Sequence, residues 1–210
     1  MAVRIETFVV GPFQTNCYVL ANGEACWVID PGLGAESMPV WLRQQDLSPE
    51  RILLTHGHCD HIGGVGAIKE AFDDALVCCP AADAEMLGDP VTNLSQVFGA
   101  PLTAPGPDEP IEFGQTLSLG GAAWRVLDTS GHTPGGVSFY CESERVVIVG
   151  DTLFAGGIGR TDFPDADAGR LIANVREHLL SLPDDTRVLP GHGPATTIGI
   201  ERASNPYLGL

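Results

Sequence analysis

A chain of 210 residues, 44% of them hydrophobic, can bury a core of its own as one α/β domain. Its 27 acidic residues against 11 basic ones give a formal net charge of −16, which excludes the broad positive face that nucleic acid or an anionic membrane would need. No apolar run approaches ~18 residues and the N-terminal stretch has no signal-peptide core, so no membrane span is expected and a cytoplasmic location is.

Residues 3–10, 16–21 and 25–29 read as short strands of an opening antiparallel meander, separated by Gly11-Pro12 and Asn22-Gly23. A helix is expected from about Ala35, with Pro39 near its first turn, ending before Ser48-Pro49. Next come a strand at Arg51 to Leu54, a loop, a helix from Ile62 to Phe72 and a strand from Ala75 to Cys79, which together make a β-loop-α-β unit. Residues 82–110, rich in Pro, Gly, Asp and Ala, read as a surface excursion with short helices at most, able to lie over a site. Strands return at Thr116 to Leu119, Trp124 to Leu127, Val137 to Cys141 and Val146 to Val149. A helix follows over Ala166 to Leu182, then a strand at Val188-Leu189 and a short helix from Ile198 to Ala203. There is no linker or internal domain boundary, so residues 1–210 are expected to form a single domain. The cysteines Cys17, Cys26, Cys59, Cys78, Cys79 and Cys141 show no C-x-x-C pairing and mostly fall in apolar runs, as buried free thiols would.

The densest chemistry follows the strand at Arg51. His56, His58, Asp60 and His61 lie within six residues. If the chain stays extended past Thr55, His56 and His58 point the same way, because strand side chains repeat every second residue. Asp60 and His61 fall where the next helix starts and can be aimed at a second position, so one loop could serve two metals. Cys59 is out of step with the two histidines before it. Four segments share one form, an Arg and an apolar run followed by His or Asp in a Gly-containing turn: R-I-L-L-T-H-G-H, R-V-L-D-T-S-G-H, R-V-V-I-V-G-D and R-V-L-P-G-H. They put His56, His132, Asp151 and His192 just past four strand ends, where loops at one edge of a sheet can converge. His178, on the helix after Arg176-Glu177, stays outside this set as a surface residue.

His56, His58, Asp60, His61, His132, Asp151 and His192 form a nitrogen and oxygen donor set without thiolate. Such a set suits two divalent ions, zinc first and iron or manganese next. Metal-bound water loses a proton near pH ~7, so the chain reads as a metal-dependent hydrolase whose nucleophile is a hydroxide held between the ions.

The motifs T-H-G-H-C-D-H, G-H-T-P-G, G-D-T-L-F and P-G-H-G-P, in this order across nearly the whole chain, resemble those of the metallo-β-lactamase superfamily. The resemblance implies a four-layer αββα sandwich with a dinuclear site at one edge of the paired sheets. It implies His56, His58 and His132 on the first metal, Asp60, His61 and His192 on the second, and Asp151 bridging them. Asp60 would also orient the hydroxide as a catalytic residue. Within the superfamily, G-D-T-L-F-A-G-G-I-G-R-T-D-F-P and P-G-H-G-P-A-T-T-I-G-I-E-R-A-S-N-P-Y-L are similar to the small hydroxyacylglutathione hydrolase, or glyoxalase II, branch. That branch implies a small-molecule thioester such as S-lactoylglutathione as substrate, with Arg160 where larger members carry a basic glutathione contact. The chain stops 18 residues after His192, so the C-terminal helical glutathione-binding domain of those members is not expected, and Asp162 and Pro194 stand in place of their aromatic contacts. A mononuclear iron persulfide dioxygenase of the same fold shares G-R-T-D-F and would use His56, His132 and Asp151; the turn Gly191-His192-Gly193-Pro194 resembles the hydrolase instead. A lactonase or β-lactamase and a non-enzymatic metal-binding scaffold are the remaining alternatives.

Overall fold

The strands Thr15–Asn22, Ala25–Ile29, Val137–Cys141 and Val146–Gly150 are buried on both faces, and this decides the architecture. The computed structural model describes residues 2–209. Its first sheet has six strands in spatial order: β1 (Arg4–Val10), β2 (Thr15–Asn22), β3 (Ala25–Ile29), β4 (Arg51–Leu53), β5 (Leu76–Pro80) and β6 (Glu109–Ile111). Between β3 and β4 runs helix α1 (Met38–Gln44), entered through a tight turn at Ala35–Ser37. Between β4 and β5 lie the single turn α2 (Cys59–Ile62) and helix α3 (Val65–Ala71). The second sheet begins with β7 (Thr116–Leu119), β8 (Ala122–Asp128), β9 (Val137–Cys141) and β10 (Val146–Gly150). A small hairpin, β11 (Leu153–Phe154) and β12 (Gly157–Ile158), and helix α4 (Ala168–Asn174) lead to β13 (Arg187–Pro190), β14 (Thr196–Thr197) and α5 (Ile198–Ser204). The second sheet runs β14-β13-β10-β9-β8-β7, so β13 returns parallel to β10.

Period-two alternation sorts the side chains into three cores, as four stacked layers require. On β2, Cys17 and Val19 face α1 and α3, packing with Met38, Leu42, Val65 and Ile68, while Tyr18 and Leu20 face the other sheet. The middle core joins Trp27, Ile29 and Leu53 of the first sheet to Trp124, Phe139 and Ile148 of the second. On the far side Tyr140, Val147 and Val149 meet Leu171, Val175 and Leu179. The fold is therefore the four-layer αββα sandwich, in one domain. All six cysteines are free and buried. Among the described residues no helix is long and apolar enough to cross a membrane.

Several elements depart from the sequence expectation. The helix expected over Ile62 to Phe72 is split, because two adjacent glycines are poor helix formers and Gly64 N–H donates to Pro31 O at 2.7 Å. Asp60 and His61 consequently sit inside the turn α2 and not ahead of it. The helix expected from Ala166 starts at Ala168, where the Asp167 carboxylate accepts from Arg170 N at 2.9 Å, and its last turn, Val175–Leu179, is wider than an α-helix. Strand β6 contains Pro110 and was hidden by it. An edge position tolerates proline because one side of the strand needs no donor. At the end of β10 the pairing with β13 shifts between Ile148 and Gly150. Gly150 there has φ 50°, and a Cβ at that position would collide with Thr55 Oγ1. This kink re-aims the next side chain, Asp151.

Truncating Phe139, which is fully buried between the sheets, should cost about 3–5 kcal/mol of unfolding free energy. A urea titration of Phe139→Ala against wild type measures it; a loss under 1 kcal/mol would mean that the middle core does not carry the sandwich.

Candidate metal centre

The ends of β4, β8, β10 and β13 open onto one edge of the sandwich, and the loops that leave them are tied together by buried polar groups. Thr55, just past β4, donates from its N–H to Asp30 Oδ1 at 2.8 Å and from its hydroxyl to Asp30 Oδ2 at 2.7 Å. Its carbonyl accepts from Val137 N at 2.9 Å, which joins the two sheets at this point. The loop after β13 is caught by β2: Asn16 N–H donates to Gly191 O at 2.7 Å and Tyr18 OH to Pro190 O at 2.6 Å. Asp83, fully buried, accepts from Gly57 N at 3.1 Å, Thr133 Oγ1 at 2.7 Å and Gly135 N at 2.6 Å, and so couples the loop of His56 and His58 to that of His132. A side chain at Gly57 would run into Met86, so the loop needs glycine there.

Four imidazoles spend one ring nitrogen on these supports. His56 Nδ1 lies 3.0 Å from Thr55 Oγ1, whose own proton goes to Asp30. His61 Nδ1 lies 3.0 Å from Asp30 Oδ2, His132 Nδ1 2.7 Å from Arg160 O and His192 Nδ1 3.1 Å from Phe13 O. Each of these partners can only accept, so Nδ1 carries the proton and Nε2 is left with a lone pair facing inward. His58 joins them through Nδ1, 2.9 Å from His132 Nε2.

The inward atoms converge as three overlapping sets, each with its ligand atoms within 4.8 Å of one another: His56, His58 and His132; His56, His61 and Asp151; Asp60, His61 and His192. Asp151 Oδ1 lies 3.3 Å from His61 Nε2, and its Oδ2 lies 3.5 Å from His192 Nε2 and 3.7 Å from His132 Nε2. Asp60 Oδ2 is 3.0 Å from His192 Nε2 and 3.5 Å from His61 Nε2. All seven residues expected from the sequence are thus brought together, whereas Cys59 and His178 belong to none of the three sets.

The donors fit cations. His56 Nε2, His61 Nε2 and Asp151 Oδ1 are buried without a hydrogen-bond partner, a costly state that a bound ion relieves. Burial first, and then the neighbouring imidazoles, lowers His56, and burial with His132 lowers His58 to about 3, so both are neutral as ligands must be. Burial alone would lower His61, but Asp60, Asp151 and Asp30 around it outweigh that and favour positive charge at this spot. Burial alone would raise Asp60 and Asp151, yet His61 foremost holds both below the usual carboxylate range.

A cleft of about 340 Å³ opens on this cluster, walled by Phe13, Leu94, Phe98, Phe154 and Phe163, with Arg160 at its rim. The Arg160 guanidinium is exposed, held by both carboxylate oxygens of Asp162 at 2.9 and 2.8 Å, and stacked on Phe163 at 4.7 Å. Sequence reasoning missed Asp30 and Asp83. Asp30 had a signal, an aspartate between a buried strand and Pro31-Gly32; Asp83 had none, because its partners are 26 and 50 residues away.

Comparison with known proteins matches residues 10–192 to the family model of the metallo-beta-lactamase superfamily. The chain is 39% identical over 209 residues to the hydroxyacylglutathione hydrolase GloC of Haemophilus influenzae, covering 98% of each. It is 39% identical over 200 residues to the probable metallo-hydrolase YqgX of Bacillus subtilis, covering 95% of this chain and 94% of that one. Among solved structures, the BLEG-1 B3 metallo-beta-lactamase is similar with a TM-score of 0.93 at 39% identity, over 99% of this chain and 100% of that one. TTHA1623 in a di-iron-bound form is similar with a TM-score of 0.87 at 40% identity, over 97% and 100%.

Removing the shared acceptor in Asp30→Ala should weaken metal affinity by about 10- to 100-fold, since His61 and Thr55 lose the group that orients them. Competition against a chromophoric chelator measures this, and an unchanged affinity would show that Asp30 serves the fold alone. Metal binding should also weaken as pH falls, because protons compete for the same imidazole lone pairs.

Proposed function

Because the chain belongs to the metallo-β-lactamase superfamily, we propose that this metal-dependent hydrolase cleaves thioesters, with S-lactoylglutathione or a similar acyl-glutathione as substrate, in the cytoplasm. The observation that carries the reading is the convergence of five imidazoles and two carboxylates at the floor of an aromatic cleft. His56, His58 and His132 would hold one ion, Asp60, His61 and His192 a second, and Asp151 would bridge them. Divalent ions in these places, zinc or else iron or manganese, supply a water acidified enough to attack at neutral pH and a Lewis acid for the substrate carbonyl.

The chain's own residues do the rest. Asp60, kept ionised, faces the cleft and accepts a hydrogen bond from the attacking water, which fixes the direction of the attacking lone pair. The aromatic walls exclude bulk water and hold the substrate's apolar parts. The two carboxyls in the cleft that show a shift, Asp60 and Asp151, are both lowered, so neither is poised to donate a proton to a leaving group. A thiolate leaves without such help and an amine does not, which favours a thioester over an amide. Arg160 would meet a carboxylate of the thiol moiety by exchanging it for Asp162. The second set of ligand atoms, Asp60 with His61 and His192, favours two ions over the single facial triad of a persulfide dioxygenase. The cleft above the donors favours turnover over a metal-storing scaffold.

Thiol release from S-lactoylglutathione, followed with a chromogenic disulfide beside metal analysis, tests the reading; two ions per chain with no thioester turnover would overturn it. Asp60→Ala should lose one ion and lower kcat by about 100-fold or more. Asp151→Ala should likewise lose an ion and nearly all turnover. In Arg160→Ala, KM for glutathione esters should rise with kcat little changed. An unchanged KM would remove Arg160 from the substrate's path.

A further inference from the structure

The cleft has a second arm. Beyond His58, His132 and Phe163 a smaller cavity of about 120 Å³ continues between Met86, Val91, Pro134 and Ala166, and Leu94 lines both this cavity and the larger cleft. A hydrolysable ester presents two unequal groups on either side of its carbonyl, and the site offers two unequal arms on either side of His58 and His132.

Leu94 itself is held in an unusual way. Its φ is 68°, in the left-handed region that side chains larger than glycine rarely occupy. Its two neighbours enforce that conformation. Asn93 and Ser95 are both buried, at 0% and 1% exposure. Asn93 Nδ2 donates to Met86 O at 3.0 Å and to Leu102 O at 3.1 Å, and its Oδ1 accepts from Ser95 N at 3.0 Å. Ser95 Oγ accepts from Leu102 N at 3.0 Å. The same segment is locked to the ligand loop, since Asn93 O accepts from Cys59 N at 2.9 Å. A strained leucine braced on both sides and fastened to the metal loop is placed with more precision than a surface loop otherwise needs.

We propose that Leu94 is a specificity-determining wedge that divides the cleft into a narrow acyl arm and a wider thiol arm, so that the preferred substrates are thioesters of short, uncharged acyl groups. This rests on the thioester reading. The assignment of arms follows from size and charge. At about 120 Å³ against about 340 Å³, the small cavity suits a lactoyl, propionyl or butyryl chain and is the wrong arm for a peptide thiol. The larger cleft is the one that carries Arg160. In the small arm the Thr133 hydroxyl is spent on Asp83 and that of Thr92 on Asp89 O, and the charged side chain at its rim is Asp165. A carboxylate-bearing acyl group such as succinyl would therefore find no Lys or Arg to pair with at the far end of this arm, and would find the Asp165 carboxylate there.

The test is an acyl series on one thiol, N-acetylcysteamine, from acetyl to octanoyl with succinyl included, turned over by the metal-loaded protein. Unreactive ketone isosteres, with a methylene in place of sulfur, give dissociation constants alongside. For wild type, kcat/KM should peak at three to five acyl atoms and fall at least tenfold for octanoyl and for succinyl. Leu94→Gly, which suits the backbone conformation, should raise the octanoyl-to-propionyl ratio at least tenfold in both turnover and isostere binding, with unchanged metal content. Val91→Phe should shorten the preferred chain to acetyl. Acyl-length profiles that are the same in wild type and both variants would overturn the wedge while leaving the thioester reading intact. If neither this series nor S-lactoylglutathione were hydrolysed, the thioester reading itself would fall, and the isostere constants would still decide whether Leu94 divides the cleft.

Discussion

The centre depends on one constraint: a buried imidazole can face a cation with one nitrogen only if its other nitrogen has somewhere to put a proton. Four of the five histidines here meet it with groups that can only accept, namely the Thr55 oxygen, the Asp30 carboxylate and the main-chain carbonyls of Arg160 and Phe13. Each acceptor comes from a different place in the fold. The sandwich can be understood as the frame that brings these acceptors within reach of the rings.

Asp30 has the widest influence among them. One carboxylate, buried at the end of β3, takes protons from the Thr55 backbone, the Thr55 hydroxyl and His61. Through Thr55 it reaches His56 as well, so a chain of hydrogen bonds links the two sides of the donor cluster. Thr55 also pairs with Val137 of the opposite sheet. The relative position of the sheets and the orientation of the ligands are thus set by the same residue.

The substrate side is built differently. Its walls are aromatic and aliphatic side chains from loops, and the cation at the rim, Arg160, is shared with Asp162. Chemistry and selectivity are separable in such a site, since the donors are held by rigid strand ends and the walls by segments that can vary without disturbing them. The braced segment around Leu94 is the exception, a loop residue fastened to the ligand loop itself.

Much of this was legible in the sequence, because it is encoded locally. Short apolar runs bounded by turn residues marked the strands, and the repeated pattern of apolar run and glycine turn marked where His56, His132, Asp151 and His192 would emerge. Spacing within T-H-G-H-C-D-H sufficed to offer ligands for two positions. What only the tertiary structure decided are features whose cause lies far along the chain. Asp83 is a supporting acceptor because Gly57, 26 positions earlier, and Thr133, 50 positions later, both donate to it. Strand β6 forms despite Pro110 because it needs a partner on one side alone. Gly63 and Gly64 split a helix because Pro31 offers a carbonyl. Leu94 adopts a conformation its own side chain disfavours because its neighbours are locked from outside. The sequence by itself determined which atoms could bind an ion and which faces would be buried; the packed fold decided how those atoms are oriented, since a hydrogen bond between distant residues leaves no period in the chain that makes it.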